Sequence, residues 1–204
     1  MNNVEQALHR SVPFFEDAPC YSAEKLVKLH GMRRNMVEEK DPARQEQLVK
    51  EYHAFLDGME KLPNAPERIY LWQEGNMPAS GSYVENPGWR YNHDPEFRPY
   101  MFEILLPEEV TPKGAVILCA GGDHGDCVIH EAYQSCLDFN RLGYQCFMLL
   151  NRTNMMPYTG QECGADAARL VRMIRRNAAK YRIAENQVAF AGFSNGGLTG
   201  EECI

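Results

Sequence analysis

Residues 187–197 read QVAFAGFSNGG, and this stretch decides how the rest of the chain is interpreted. Residues 188–192 are all apolar or small, which is typical of a short buried strand in a parallel sheet. The G-x-S-x-G pattern of residues 192–196 then predicts a sharp turn from strand to helix that lifts the serine hydroxyl clear of the backbone. Side chains two positions before and after the serine would collide in such a turn, so Gly192 and Gly196 have a steric reason to be glycine.

Length, composition and charge narrow the class of protein. The chain has 204 residues, 44% of them hydrophobic and 24% charged, as expected of an ordinary globular chain with one sizeable core. A net charge of -7 argues against nucleic acid or an anionic membrane as the main partner. No apolar run reaches the roughly 20 residues of a membrane span. The seven scattered cysteines and the absence of an apolar leader predict a cytoplasmic protein with reduced, buried thiols.

The first part of the chain is predicted to be helical. Ser22 and Asp41 are suitable N-cap residues, Pro42 fits the first position of a helix, and apolar residues recur at helical spacing between positions 48 and 59. We therefore expect a helical segment over residues 1–62 and a second domain over residues 63–204. The apolar stripe of residues 48–59 is expected to pack on that second domain or on a partner subunit.

From residue 68 onward, strands and helices are predicted to alternate. Residues 74–99 are rich in glycine and proline and predict a long loop. Alternating strands and helices predict an α/β fold with a mostly parallel sheet that is covered on both faces. The predicted strands are 69–72, 100–106, 115–120, 144–150 and 188–192, and the predicted helices are 130–142 and a second one beginning near Gly160.

Ser194 is the candidate nucleophile. A serine hydroxyl becomes a good nucleophile only when a neighbouring base takes its proton, and the attacked carbonyl needs hydrogen-bond donors for its developing negative charge. In a turn of this kind one donor is the backbone N–H that follows the serine, here that of Asn195. The second donor comes from the loop after the third strand, where we expect the N–H of Gly122 or Asp123. The alternative for this loop is a plain turn.

Several segments together resemble a known family. The stretches ILCAGGDHG (117–125), LGYQCFMLLNR (142–152) and GFSNGG (192–197) are similar to segments of acetyl esterases, xylan esterases and related lipases of the α/β-hydrolase fold. The resemblance covers about residues 68–200. It implies a serine-dependent carboxylic ester hydrolase that acts on small-molecule esters with short, acetyl-type acyl groups. An acyl-enzyme would form on Ser194, and no cofactor is implied.

Two positions in the oxyanion loop depart from the family pattern. Ala120 stands where the family has proline, and Asp123 stands at the third glycine of its GGG. A carboxylate beside an oxyanion repels it unless the side chain turns away or is protonated. Asp123 therefore weakens the prediction that this loop supplies the second oxyanion donor. The next residue, His124, is a candidate for lining the substrate pocket.

Other polar clusters are interpreted as structural or solvated. Asp123, His124, Asp126, Cys127 and His130 raise the hypothesis of a metal site, but solvated loop residues are the better account and we expect no metal. The basic residues between positions 169 and 180 are expected to form the solvated face of a helix, with phosphate binding as the alternative. Arg152, at the end of a strand, is expected to form a structural ion pair.

The partners of Ser194 do not follow it in this sequence. In this fold the nucleophile is followed by an acid and then by a histidine. The ten residues after Ser194 contain Glu201 and Glu202 but no histidine. We therefore expect the N-terminal portion of a longer hydrolase, with a sheet that is incomplete after the serine turn. This portion should be inactive alone and able to self-associate as a homo-oligomer. The alternative is a non-catalytic binding or scaffold protein that kept the fold.

Overall fold

The computed structural model describes residues 2–78, 97–122, 128–152 and 160–203. These residues form two compact units, one ending at Pro66 and the other beginning at Glu67. Within the described ranges, no helix combines the length and the apolar character that crossing a membrane requires.

The first unit consists of three α-helices, α1 (Asn3–Glu16), α2 (Ala23–Glu38) and α3 (Pro42–Asp57). The predicted caps are confirmed, because the Ser22 side chain accepts the N–H of Lys25 and the Asp41 side chain accepts the N–H of Ala43. The apolar stripe of α3 was expected to pack on the second domain or on a partner subunit. The structure corrects this expectation, because the stripe packs against α1 and α2 within its own unit. The buried residues of this core are Ala7, Leu8, Leu29, Met36, Val49, Tyr52 and Leu56.

The second unit contains a five-stranded sheet with the order β1-β2-β4-β3-β5. β3 pairs in parallel with both β4 and β5, whereas β2 is antiparallel to β4 and to β1. Every strand except β2 therefore runs in the same direction, which confirms the mostly parallel sheet. The strands are β1 (Ile69–Tyr70), β2 (Tyr100–Ile104), β3 (Ala115–Cys119), β4 (Gln145–Leu150) and β5 (Val188–Gly192).

Three helices belong to this sheet, α4 (Ile129–Arg141), α5 (Gly160–Arg176) and α6 (Asn195–Glu201). One sheet face packs on the apolar side of α5, and the other face of β3 and β4 is also buried. The residues that form the α5 side of the core are Ile117, Cys119, Phe147, Leu149, Ala167, Leu170 and Ile174.

The remaining polar predictions can be placed on this framework. Arg172, Arg175 and Arg176 are exposed on α5, as expected of a solvated helix face, whereas Arg169 is half-buried and its Nε donates to the Leu71 carbonyl at 3.0 Å. Lys180 is exposed but lies after the end of α5. The described cysteines are free thiols, and all of them except the half-buried Cys203 are buried.

Candidate active site

The topology brings the candidate nucleophile and the candidate oxyanion loop together. Cys119 pairs with Gly192 in the parallel register, so the carboxyl ends of β3 and β5 are neighbours. The chain leaves β3 into Gly121 and leaves β5 into Ser194. A Cβ built on Gly121 would lie 3.2 Å from the Cβ of Ser194. Ligand sites of open α/β sheets lie outside the carboxyl ends of the strands, which is where these residues meet.

Ser194 connects the end of β5 to the beginning of α6 in a strained conformation. Its backbone has φ 50° and ψ -122°, and the residue is exposed. A positive φ is uncommon for any residue other than glycine. Two backbone hydrogen bonds hold the turn, from the N–H of Gly196 to the Phe193 carbonyl at 2.8 Å and from the N–H of Gly197 to the Ser194 carbonyl at 2.9 Å. A third, at 3.1 Å, joins the N–H of Phe193 to the Cys119 carbonyl at the end of β3.

The two glycines of the turn allow close backbone approaches. A Cβ on Gly192 would lie 2.2 Å from the carbonyl carbon of Gly196. A Cβ on Gly196 would lie 2.5 Å from the carbonyl oxygens of both Cys119 and Ala120. Because side chains cannot approach backbone atoms this closely, any other residue at Gly192 would push β5 away from the first turn of α6, and any other residue at Gly196 would displace the turn from the end of β3.

The backbone donors near Ser194 are not equivalent. The N–H of Asn195 is the first of α6, and the first N–H groups of a helix have no acceptor within the helix. The N–H of Gly121 is already bound, because it donates to Oε2 of Glu131 at 3.1 Å. Gly122 has φ 143°, and among the described residues none accepts its N–H. The other two residues assigned to this loop from the sequence, Asp123 and His124, lie outside the described ranges.

The side chain of Asn195 is a second polar feature of the turn. The residue is 6% exposed, and no described residue donates a hydrogen bond to its Oδ1. Its backbone carbonyl, in contrast, accepts the Thr199 hydroxyl at 3.0 Å. A buried amide oxygen without a donor costs about 1–3 kcal/mol.

Two cysteines near the carboxyl edge of the sheet are unsuited to act as nucleophiles. Burial raises the pKa of the Cys119 thiol, and it raises the pKa of Cys163 to about 12. Cys119 donates to Oδ1 of Asn151 at 3.3 Å, and Cys163 donates to the Arg152 carbonyl at 2.9 Å. The reactive form of cysteine is the thiolate, so both remain unreactive thiols at neutral pH. Ser194 differs from both in being exposed.

A buried ion pair supports the same edge of the sheet. The side chains of Arg152 and Asp166 are both fully buried, and Nη2 of Arg152 lies 2.8 Å from Oδ1 of Asp166. The backbone N–H and Nε of Arg152 both donate to Oδ2 of Asp166 at 3.0 Å. Trp72 adds a donor to Oδ1 at 2.8 Å. The structural ion pair predicted for Arg152 is thereby confirmed, and it ties the end of β4 to α5.

The remaining predicted groups stay apart from Ser194 or lie outside the described residues. Within the described ranges, no group of three or more histidine, cysteine or acidic side chains is arranged to hold a metal ion. Of the proposed cluster, only His130 is described, and it is exposed near the beginning of α4. Glu201 and Glu202, which follow the serine turn, are also exposed.

Glu131 is the site residue that sequence analysis missed. It lies in the first turn of α4, half-buried, and accepts the Gly121 N–H. The only signal in the sequence is an acidic residue near the beginning of a predicted helix, where acidic residues are common.

Comparison with known proteins gives two informative similarities. No protein-family model matches the chain. Endo-1,4-beta-xylanase B from Butyrivibrio fibrisolvens is 30% identical over 149 residues, which are 69% of this chain and 23% of that protein. The crystal structure of an acetyl ester-xyloside bifunctional hydrolase from Caldicellulosiruptor lactoaceticus is 27% identical, with a TM-score of 0.54. That match covers 66% of this chain and 45% of the solved chain. The chain thus spans less than half the length of each relative.

Proposed function

We propose that this chain, whose second unit has the α/β-hydrolase fold, carries the nucleophile and oxyanion loop of a serine-dependent carboxylic ester hydrolase. The observation that carries the proposal is the position of Ser194, exposed and with φ 50° at the junction of β5 and α6. The 27% identity to a structure whose name includes acetyl ester hydrolysis supports short acyl esters as the substrate class.

The proposed reaction uses the two loops that meet at the carboxyl edge. The Ser194 hydroxyl oxygen attacks the ester carbonyl carbon while a general base takes the hydroxyl proton. The carbonyl oxygen becomes an oxyanion that accepts the N–H of Asn195 and that of Gly122 or Asp123. The tetrahedral intermediate collapses, the alcohol leaves with a proton from the base, and an acyl-enzyme remains on Ser194. Water then hydrolyses the acyl-enzyme by the same steps.

The first prediction tests the nucleophile. In the longest protein expressed from the gene that contains residues 1–204, a fluorophosphonate probe should label Ser194, because the probe reacts with serines activated for acyl transfer. Mass spectrometry of digested protein should locate the adduct. Ser194→Ala should abolish it, whereas the control variant Ser135→Ala on α4 should not. Labelling that persists in Ser194→Ala would refute the assignment.

The second prediction concerns the 204-residue chain alone. Residues 195–204 contain no histidine, and a serine without its base is not activated. We therefore expect no Ser194-dependent hydrolysis of a short-chain nitrophenyl ester by the purified chain. Turnover that is lost in Ser194→Ala would place the base within these 204 residues instead.

The two experiments also separate the enzyme from the alternative of a non-catalytic binding protein. An enzyme requires labelling of Ser194 and ester turnover in the longest gene product. Absence of both in a folded preparation, together with retained binding of an ester, would favour the alternative.

A further inference from the structure

We propose that Glu131 is a positioning residue of the oxyanion loop, an inference that rests on the proposed function of Ser194. Its carboxylate holds Gly121 in place, and this orients the N–H that follows Gly121 for the oxyanion. In this role Glu131 acts through the backbone of the loop.

The first step of the argument is that α4 holds Gly121 on both sides. The N–H of Gly121 donates to Oε2 of Glu131 at 3.1 Å, and the carbonyl of Gly121 accepts the N–H of Val128 at 2.8 Å. These two bonds fix the peptide plane before Gly121 and the one after it. We call this pair of hydrogen bonds the Gly121 clamp.

The second step follows from the geometry of a trans peptide. The carbonyl of Gly121 and the N–H of Gly122 belong to the same planar unit and point in opposite directions. Because the carbonyl is directed at the N–H of Val128 beside α4, the N–H of Gly122 must point away from α4. The clamp therefore makes the N–H of Gly121 unavailable to the oxyanion and sets the direction of the N–H of Gly122.

The third step is that Gly121 has no room to move. A Cβ built on it would lie 2.9 Å from the Phe193 carbonyl oxygen, 3.0 Å from Oε2 of Glu131 and 3.2 Å from Cβ of Ser194. The carboxylate and the serine thus contact the same small residue. A displacement of Gly121 would be transmitted directly to the serine turn.

The fourth step explains why a glutamate can serve here. A glutamate in the first turn of a helix often bonds back to the N-cap of its own helix. The N-cap of α4 is Val128, which makes no side-chain cap, and Glu131 bonds across to the loop instead. The helix dipole stabilises a carboxylate at this end, and an ionised acceptor makes a stronger bond than a neutral one.

The test compares Glu131→Ala, which removes the acceptor, with Glu131→Gln, which keeps an amide oxygen and loses the charge. Asp138→Asn is the matched control, because it removes a carboxylate from the exposed side of the same helix. Each variant is made in the longest gene product containing residues 1–204. Two quantities are measured, amide hydrogen exchange in fragments that contain Gly121, and the rate and affinity constants for fluorophosphonate labelling of Ser194.

We expect Glu131→Ala to exchange faster at Gly121 and to be labelled about ten- to a hundredfold more slowly at saturating probe, with unchanged affinity for the probe. Glu131→Gln keeps a weaker, uncharged acceptor for the Gly121 N–H, so it should fall between Glu131→Ala and the unsubstituted protein in both measurements, whereas Asp138→Asn should stay within about threefold of the unsubstituted protein. A role confined to stability would not produce this separation of rate from affinity, nor its partial rescue by glutamine.

Three outcomes would overturn the inference. An unchanged labelling rate in Glu131→Ala would show that the clamp does not position the donor. Equal losses in Glu131→Gln and Glu131→Ala would assign the effect to the charge and not to the hydrogen bond. If Ser194 is not labelled even in the unsubstituted protein, the proposed function fails. Amide hydrogen exchange then still tests whether Glu131 holds Gly121 in place. Faster exchange in Glu131→Ala would support it, and unchanged exchange would refute it.

Discussion

At the residue scale, the strain at Ser194 is matched by bonds that hold it. A residue in this conformation costs on the order of 1–3 kcal/mol and persists only where its surroundings over-determine it. Hydrogen bonds from the N–H groups of Gly196 and Gly197, and the anchoring of Phe193 to Cys119, constrain the turn. The strain therefore falls on the one residue whose hydroxyl must stand clear of the backbone.

The neighbouring glycines of α6 provide a matched test of this packing. A Cβ on Gly196 would lie 2.5 Å from two carbonyl oxygens, whereas one on Gly197 would meet nothing closer than 3.6 Å. We predict that Gly196→Ala lowers the free energy of unfolding by about 1–3 kcal/mol or more, since backbone must shift. Gly197→Ala should be neutral or should stabilise the protein by about 0.5–1 kcal/mol, because alanine favours a helix. Denaturant unfolding of the 204-residue chain measures both, and equal effects would contradict the role given to Gly196.

Residue-level features were predictable from sequence where they depend on local geometry. The caps at Ser22 and Asp41 and the close approach of Gly192 to Gly196 depend on a few adjacent residues, so pattern alone indicated them. The contact of Gly196 with the carbonyls of Cys119 and Ala120 depends on the tertiary fold. Glu131 was not predictable in this way. Its bond to Gly121 exists only because α4 folds back over the loop, and nothing in the intervening sequence specifies that return.

At the scale of elements, the position of each strand was predictable but the order of the strands was not. The apolar runs end at glycine, proline or polar residues, and the observed strands lie within the predicted ranges. The placement of β4 between β2 and β3 depends on tertiary packing, which strand propensity does not determine. The apolar stripe of α3 is a second example, because its sequence pattern predicts that the stripe is buried but does not predict which element covers it.

A prediction at this scale concerns the ion pair that joins β4 to α5. Asp166→Asn removes the carboxylate that pairs with the fully buried guanidinium of Arg152, and breaking a buried pair in this way costs about 3–5 kcal/mol. Asp138→Asn removes one partner of an exposed pair with Arg141, where the side chains are 70% and 56% exposed. It should change the free energy of unfolding by less than about 0.5 kcal/mol. Similar losses in the two variants, measured by denaturant unfolding, would show that burial does not set the strength of the first pair.

At the scale of the whole molecule, the arrangement of the site depends on topology more than on any single motif. Parallel pairing of β3 with both β4 and β5 places the loop after β3 beside the serine turn after β5. Alternation of strands and helices predicts the parallel sheet, and with it that both loops lie at the same edge, but it does not predict that β3 and β5 are neighbours. The boundary near residue 62 remains a prediction.

The last prediction concerns the free edge of the sheet. Among the described residues, β5 pairs on one side only, with β3, and its Ala189 is exposed. Phe193 and Leu198, which follow β5, are 37% and 52% exposed. An edge with unpaired backbone groups and apolar side chains readily pairs with another chain, so we expect the 204-residue chain to self-associate.

The experiment places a charge on that edge. Ala189→Lys should shift the chain toward the monomer, because natural proteins use lysine to protect edge strands from pairing. Ala179→Lys, at an exposed position after α5, is the matched control and should associate like the unsubstituted chain. Light scattering over a range of protein concentrations gives the average mass of each. A monomeric unsubstituted chain would refute self-association, whereas association that persists in Ala189→Lys would place the contact elsewhere than on β5.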